Sequence, residues 1–221
     1  MAFEDYDEFE QGEQVRKWIK ENGVAVIVGV ILALVLIFGY REWQAHKTTV
    51  EDNASSQFAV LQNATQGGDK QAMRAALSDL QKNYASSPYA AFGSAAVAEY
   101  EVGKNELKPA AQDLEWAVAH SKPPALQPLF ALRLARVLLA EGQAQPALDA
   151  LQKVPAGEYD SIAAELRGDA LLKLGKTAEA RAAYQAAFAK LAKDAPGRSS
   201  LQMKLDNLTQ PKAAPTGKQA Q

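Results

Sequence analysis

Between Glu21 and Arg41 the chain carries no charged side chain, and from Val24 to Tyr40 it reads VAVIVGVILALVLIFGY. As a helix rising about 1.5 Å per residue, this stretch reaches roughly 25–30 Å. That is close to the roughly 30 Å hydrocarbon thickness of a bilayer. Apolar residues cover every face, so no side can turn toward water. Trp18, Tyr40 and Trp43 bracket the run where an interfacial aromatic belt sits, and Lys20 and Arg41 can snorkel to the headgroups. A buried core helix is the competing reading, but core helices rarely run this far without a polar position. A cleaved signal peptide is disfavoured by bulky Tyr40, Arg41 and Trp43, which stand where a small-residue cleavage site belongs. The run is therefore expected to remain as a single-pass anchor in a lipid bilayer.

The flanks bear on its direction. Arg16, Lys17 and Lys20 precede the run, whereas Arg41 and Lys47 follow it, so the positive-inside rule puts the N-terminus in the cytoplasm by a margin of one charge. The acids Glu4, Asp5, Asp7, Glu8, Glu10 and Glu13 count little in that rule and are expected to solvate a short flexible arm. Ala25, Gly29 and Ala33 recur every fourth residue. On a membrane helix they form a face where another helix can approach closely, although small residues are common in spans anyway.

Outside the anchor the composition is that of a soluble helical domain. Hydrophobic residues make up 48% of the 221, yet mean hydropathy is only -0.25. Net charge is -2, and no arginine cluster or aromatic–basic interleaving points to nucleic acid. The chain has no cysteine, which excludes disulfides and thiolate metal sites and suits an oxidising compartment. His46 and His120 are the only histidines, too few for a histidine zinc site. Gly67-Gly68 lacks the Lys-Ser/Thr of a phosphate loop, and no G-x-S-x-G elbow occurs. His120, at a helix end, suits a C-terminal charge role. No cofactor, metal or catalytic residue is expected, and the chain is not expected to be an enzyme.

Beyond Arg41 helical spacing dominates. Val50, Ala54, Phe58 and Leu61 share a stripe that allows the anchor helix to continue into the soluble domain but does not decide whether it does, and Gly67-Gly68 then breaks the pattern. Further helices are expected at Asp69–Tyr84, Pro88–Val102, Leu107–His120, Ala125–Ala140, Ala144–Lys153, Ser161–Leu174, Thr177–Lys193 and Gly197–Leu208. Gly103, Gly142 and Gly175 would end helices. Pro88, Pro109, Pro146 and Pro196 fall near helix starts. Ala76, Ala110, Ala147 and Ala180 recur at spacings of 34, 37 and 33, near the 34-residue tetratricopeptide period. The clearest copy, Ala164–Ala187, has Gly168 at the small position of its first helix, then Gly175 at the turn. Ala180, Tyr184 and Ala187 follow in the second. Small residues belong where two backbones approach, and Tyr184 would fill the gap to a neighbouring pair. An irregular alanine-rich bundle is the alternative.

Residues 14–46, QVRKWIKENGVAVIVGVILALVLIFGYREWQAH, resemble the start of the YfgM family, ancillary subunits of the bacterial SecYEG translocon. The likeness lies in the order of features: an acidic N-terminus, a basic-aromatic segment ending in Glu21-Asn22-Gly23, the glycine-containing span, and the exit Tyr40–Trp43. The helical, alanine-rich remainder up to about Leu208 is similar to that family's tetratricopeptide-like domain. The resemblance implies a single-pass protein of the bacterial inner membrane with its domain in the periplasm. It also implies association with the translocon, with a membrane-anchored prolyl isomerase-like chaperone, and with client polypeptides.

The expected fold is thus all-α, one N-terminal transmembrane helix followed by tetratricopeptide-like repeats. The expected organisation is a cytoplasmic acidic arm (1–22), an anchor (23–43), periplasmic repeats (44–208) and a disordered tail (209–221). The expected role is a protein-interaction module linking the translocon to periplasmic chaperones and emerging chains. The alternative is an anchored scaffold for another envelope assembly complex. Partner contacts are assigned to the concave side of the array, with Leu132, Arg136 and Leu139 from one helix pair and Glu165, Asp169 and Lys173 from the next. A solvated face without a ligand competes with that assignment at each of these positions.

Overall fold

Glycine and proline breakers separate helices throughout the computed structural model, which describes the backbone of residues 4–209 and the side chains of residues 12–208. Among the described residues there is no strand. The tail expected beyond Leu208 lies outside them, apart from the backbone of Thr209, and so do the side chains of Glu4 to Glu10. The chain divides into two units, Met1–Asp52 and Asn53–Gln221. Helix α1 spans Glu4–Gly67 and contributes to both.

In the first unit the apolar run is exposed all round, its large side chains from 45% at Val26 to 79% at Val24. None of its 18-residue window, with a mean hydropathy of 2.8, is buried, and no other described helix is long and apolar enough to cross a membrane. A core helix would be covered by protein, so this exposure removes that reading. At the C-terminal end of the run the Tyr40 and Trp43 rings lie 6.0 Å apart and Lys47 sits 5.9 Å from the Trp43 ring centre.

The second unit begins with the end of α1 and continues through α2 (Lys70–Asn83), α3 (Pro88–Gly103), α4 (Leu107–His120), a 3-10 turn (Pro124–Leu126) and α5 (Gln127–Ala140). Then come α6 (Ala144–Leu151), α7 (Asp160–Lys173), α8 (Thr177–Lys190) and α9 (Arg198–Thr209). The starts are chemical. Asp69 accepts from the amides of Gln71 and Ala72 at 3.1 and 3.0 Å, and Ser87 accepts from Tyr89 at 3.3 Å ahead of Pro88. The stops at Gly142 and Gly175 have φ of 83° and 76°, the left-handed conformation glycine adopts without cost. After α3 the expectation fails in detail. Gly103 is the last helical residue, and the left-handed turn position is Asn105 at φ 61°, one of the few other residues that tolerate it. The helix expected from Ala125 opens instead as the 3-10 turn, because Pro128 offers no amide hydrogen to the first turn of α5.

Consecutive helices pair as α3 with α4, α5 with α6 and α7 with α8. The four periodic alanines, Ala76, Ala110, Ala147 and Ala180, are all buried. At Gly168 a Cβ would collide with Cδ1 and Cε1 of the Tyr184 ring, and at Gly93 one would meet Leu80 Cδ1 at 2.9 Å. Both glycines let a bulky side chain close against backbone. The core is a relay rather than a sphere. Ala90 and Val97 of α3 pack with Ala54, Leu61 and Leu77, whereas Ala91, Ala95 and Ala98 of the same helix pack toward α4 and α5. Helix α7 repeats the arrangement, with Ala163 and Ala170 toward α5 and α6 and Ala164 toward Tyr184 and Leu201. Each helix pair leaves an apolar face that its neighbour covers.

Candidate functional site

Three features remain once the repeats have buried their apolar faces: the bare membrane helix, an open groove between α3 and α5, and two polar clusters at the ends of the array. On α1, Ala25, Gly29 and Ala33 are exposed, and a Cβ at Gly29 would meet nothing within 4 Å. The small-residue face is open in the first unit.

The groove holds about 300 Å³. Its floor is Ala95, Ala98 and Val102 of α3, Leu114 of α4 and Val137 of α5. Glu99 stands on the α3 rim, and Arg133 and Arg136 stand on the α5 rim. Of the residues expected on the concave side, Arg136 is here. Leu132 and Leu139 are not, since both are buried in the central core, at 3% and 6% exposure. The reason is that α5 is apolar on nearly every face: Phe130, Ala131, Leu134, Ala135, Val137 and Leu138 are buried as well. Only the narrow edge carrying Arg133, Arg136 and Ala140 stays open, about one position round from the expected stripe. Arg133 and Arg136 are the sole charges in QPLFALRLARVLLA, and that was the available signal.

The second trio lies elsewhere. Lys204 of α9 donates to Glu165 at 2.8 Å and to Asp169 at 2.7 and 2.9 Å, and the Tyr184 hydroxyl donates to Asp169 at 2.7 Å. Helix α9 closes over this part of α7, so Glu165 and Asp169 hold the last helix. Lys173 is exposed one turn beyond Asp169. Burial works against the Lys204 charge, but its hydrogen bonds to Asp169 and Glu165 prevail and raise its pKa. Burial, together with the bond to Asp169, pushes the Tyr184 hydroxyl up strongly.

At the other end Arg74 of α2 bridges Glu101 of α3 and Asp113 of α4, the latter at 2.8 Å. Glu101 is fully buried, and its Oε2 has no partner. Burial pushes its pKa up to about 6 in spite of Arg74, with the Asp113 charge adding to the rise. Burial raises Asp113 too, against the pull of Arg74. The arrangement of Arg74, Glu101 and Asp113 ties α2, α3 and α4 together. His120 stacks on Trp116 with ring centres 4.2 Å apart, and its Nδ1 is 2.9 Å from the Trp116 carbonyl oxygen. It serves the end of α4.

Residues 16–210 match the family model of the tetratricopeptide repeat-like domain. The ancillary SecYEG translocon subunit of Escherichia coli (strain K12) is 34% identical over 92% of this chain and 97% of its own length. The proteins of the same description from Haemophilus influenzae and Neisseria gonorrhoeae are 30% and 29% identical, over 82% and 91% of this chain and 88% and 97% of theirs.

Proposed function

Since the chain belongs to the tetratricopeptide repeat-like family that includes the ancillary SecYEG translocon subunits, we propose that it is an ancillary, non-catalytic subunit of the SecYEG translocon. In this reading α1 crosses the inner membrane once, with the N-terminus in the cytoplasm and the second unit in the periplasm. The small-residue face at Ala25, Gly29 and Ala33 docks against a translocon helix. The repeats bring a membrane-anchored, prolyl isomerase-like chaperone and emerging polypeptides to the same spot. Tethering raises local concentration, so weak contacts suffice.

The observation that carries this reading is that the family match takes in the apolar run and the repeats together. The test is photo-crosslinking from Gly29 of the full chain in living cells. Translocon subunits are the expected adducts. Adducts drawn instead from another envelope assembly complex would replace this reading with the scaffold reading. An alkaline phosphatase fused after Leu208 is expected to be active, and an inactive fusion would reverse the orientation.

A further inference from the structure

We propose that the α3–α5 groove binds an acidic, apolar polypeptide segment, with a carboxylate bridging Arg133 and Arg136 while an adjacent aliphatic side chain fills the floor. This rests on the reading of the repeats as the partner-binding part of the chain.

The α5 rim of the groove carries unspent donors. Six arginines lie in the second unit, and four of them have protein partners: Arg74 on Glu101 and Asp113, Arg167 on the Leu151 carbonyl, Arg181 on the Leu208 carbonyl, and Arg198 on the Leu191 carbonyl and the Phe188 ring. Arg133 and Arg136 have none among the described residues. They stand three residues apart, so their guanidinium groups project from one side of α5 within reach of one carboxylate. Each offers a rigid fork of donors suited to bidentate pairing. Between them and α3 lies a floor of alanine, valine and leucine that exposes Val102 to 42%. The volume of about 300 Å³ admits a side chain, not a folded domain. Glu99 on the opposite rim repels a carboxylate and so sets the direction, with the acid of the segment toward α5.

The test uses the full chain in phosphatidylcholine nanodiscs, with empty nanodiscs as the control. Fluorescein-labelled peptides of equal length are titrated by anisotropy. One alternates Leu and Glu, a second Leu and Gln, a third Leu and Lys. The Glu peptide is expected to bind tightest, the Gln peptide about tenfold weaker, as befits loss of hydrogen bonds to charged groups. The gap should narrow as salt is raised. In the R133Q/R136Q variant the Glu peptide is expected to fall to the level of the Gln peptide, with unchanged thermal unfolding. Val102→Glu should weaken the Glu peptide by blocking the floor. Equal binding of the Glu and Gln peptides, tightest binding of the Lys peptide, no binding at all, or a Glu preference that survives R133Q/R136Q each overturns the inference. Should it fall while Gly29 still crosslinks to translocon subunits, the functional reading above survives it.

Discussion

The two ends of the repeat array use the same device in different surroundings. At the first joint Arg74 is shared between Glu101 and Asp113; at the last, Lys204 is shared between Glu165 and Asp169. The first joint buries one of its acids completely. The last leaves Lys204, Glu165 and Asp169 about one-third exposed and relies on Tyr184 packed against Gly168. Burial sets the shift at the first joint, whereas at the last the hydrogen bonds to Asp169 and Glu165 outweigh it for Lys204. At the first joint a carboxylate is held up to about 6; at the last the bonded lysine and the phenol are raised. One joint therefore responds to neutral and mildly acidic pH, the other to strong base.

The largest effect should come from the packed joint. Tyr184→Ala empties a fully buried site and is expected to cost about 3–5 kcal/mol in denaturant unfolding, whereas Tyr184→Phe, losing only the bond to Asp169, should cost about 1 kcal/mol. Similar costs for both would mean that the polar contact, not the ring, holds α9.

Next comes Arg74→Ala, which leaves Glu101 buried without its cation, at an expected cost of about 3 kcal/mol near neutral pH. The pH dependence carries its sign from Glu101. Its folded pKa of about 6 lies above the ordinary 4.5, so folding takes up a proton between these values. That contribution is complete below 4.5 and is lost as pH rises through 6. The deficit of Arg74→Ala should therefore shrink on acidification. In Glu101→Gln, the pH dependence of unfolding between 4.5 and 6 should flatten. An unchanged slope would show that Glu101 does not titrate there.

The smallest effect is at Lys204. The partly exposed Lys204→Met should cost about 1 kcal/mol or less and show as faster amide exchange confined to α9. Because the pKa of Lys204 is raised in the fold, its contribution is full below the ordinary 10.5 and is lost as pH rises past it. Exchange spreading from α9 as far as α2 and α3 would mean that the two ends are one cooperative unit.

Much of the fold was legible locally. The apolar run, the stops at Gly142 and Gly175, and the buried alanines at repeat spacing all depend on residues close in sequence. The repeat pattern put Gly168 and Tyr184 in one copy and aimed the ring at a neighbouring pair; its closure on Gly168 of its own pair came only with the structure. The groove was not legible. Arg136 was placed on the open side, but Leu132 and Leu139 were set beside it by helical arithmetic that treats a helix as having one buried face. Helix α5 has several, because α4, α6 and α7 all lean on it. Glu165 and Asp169 were likewise assigned to partners, when Lys204, 39 residues beyond Glu165, takes them.

By itself the sequence determined that this chain carries one bilayer-length apolar helix and a series of helix pairs, since length, hydropathy and turn chemistry act over a few residues. Which edge of α5 stays open and which acids are already paired was decided only by the tertiary structure. Burial and ion pairing there are set by helices that arrive from distant parts of the chain.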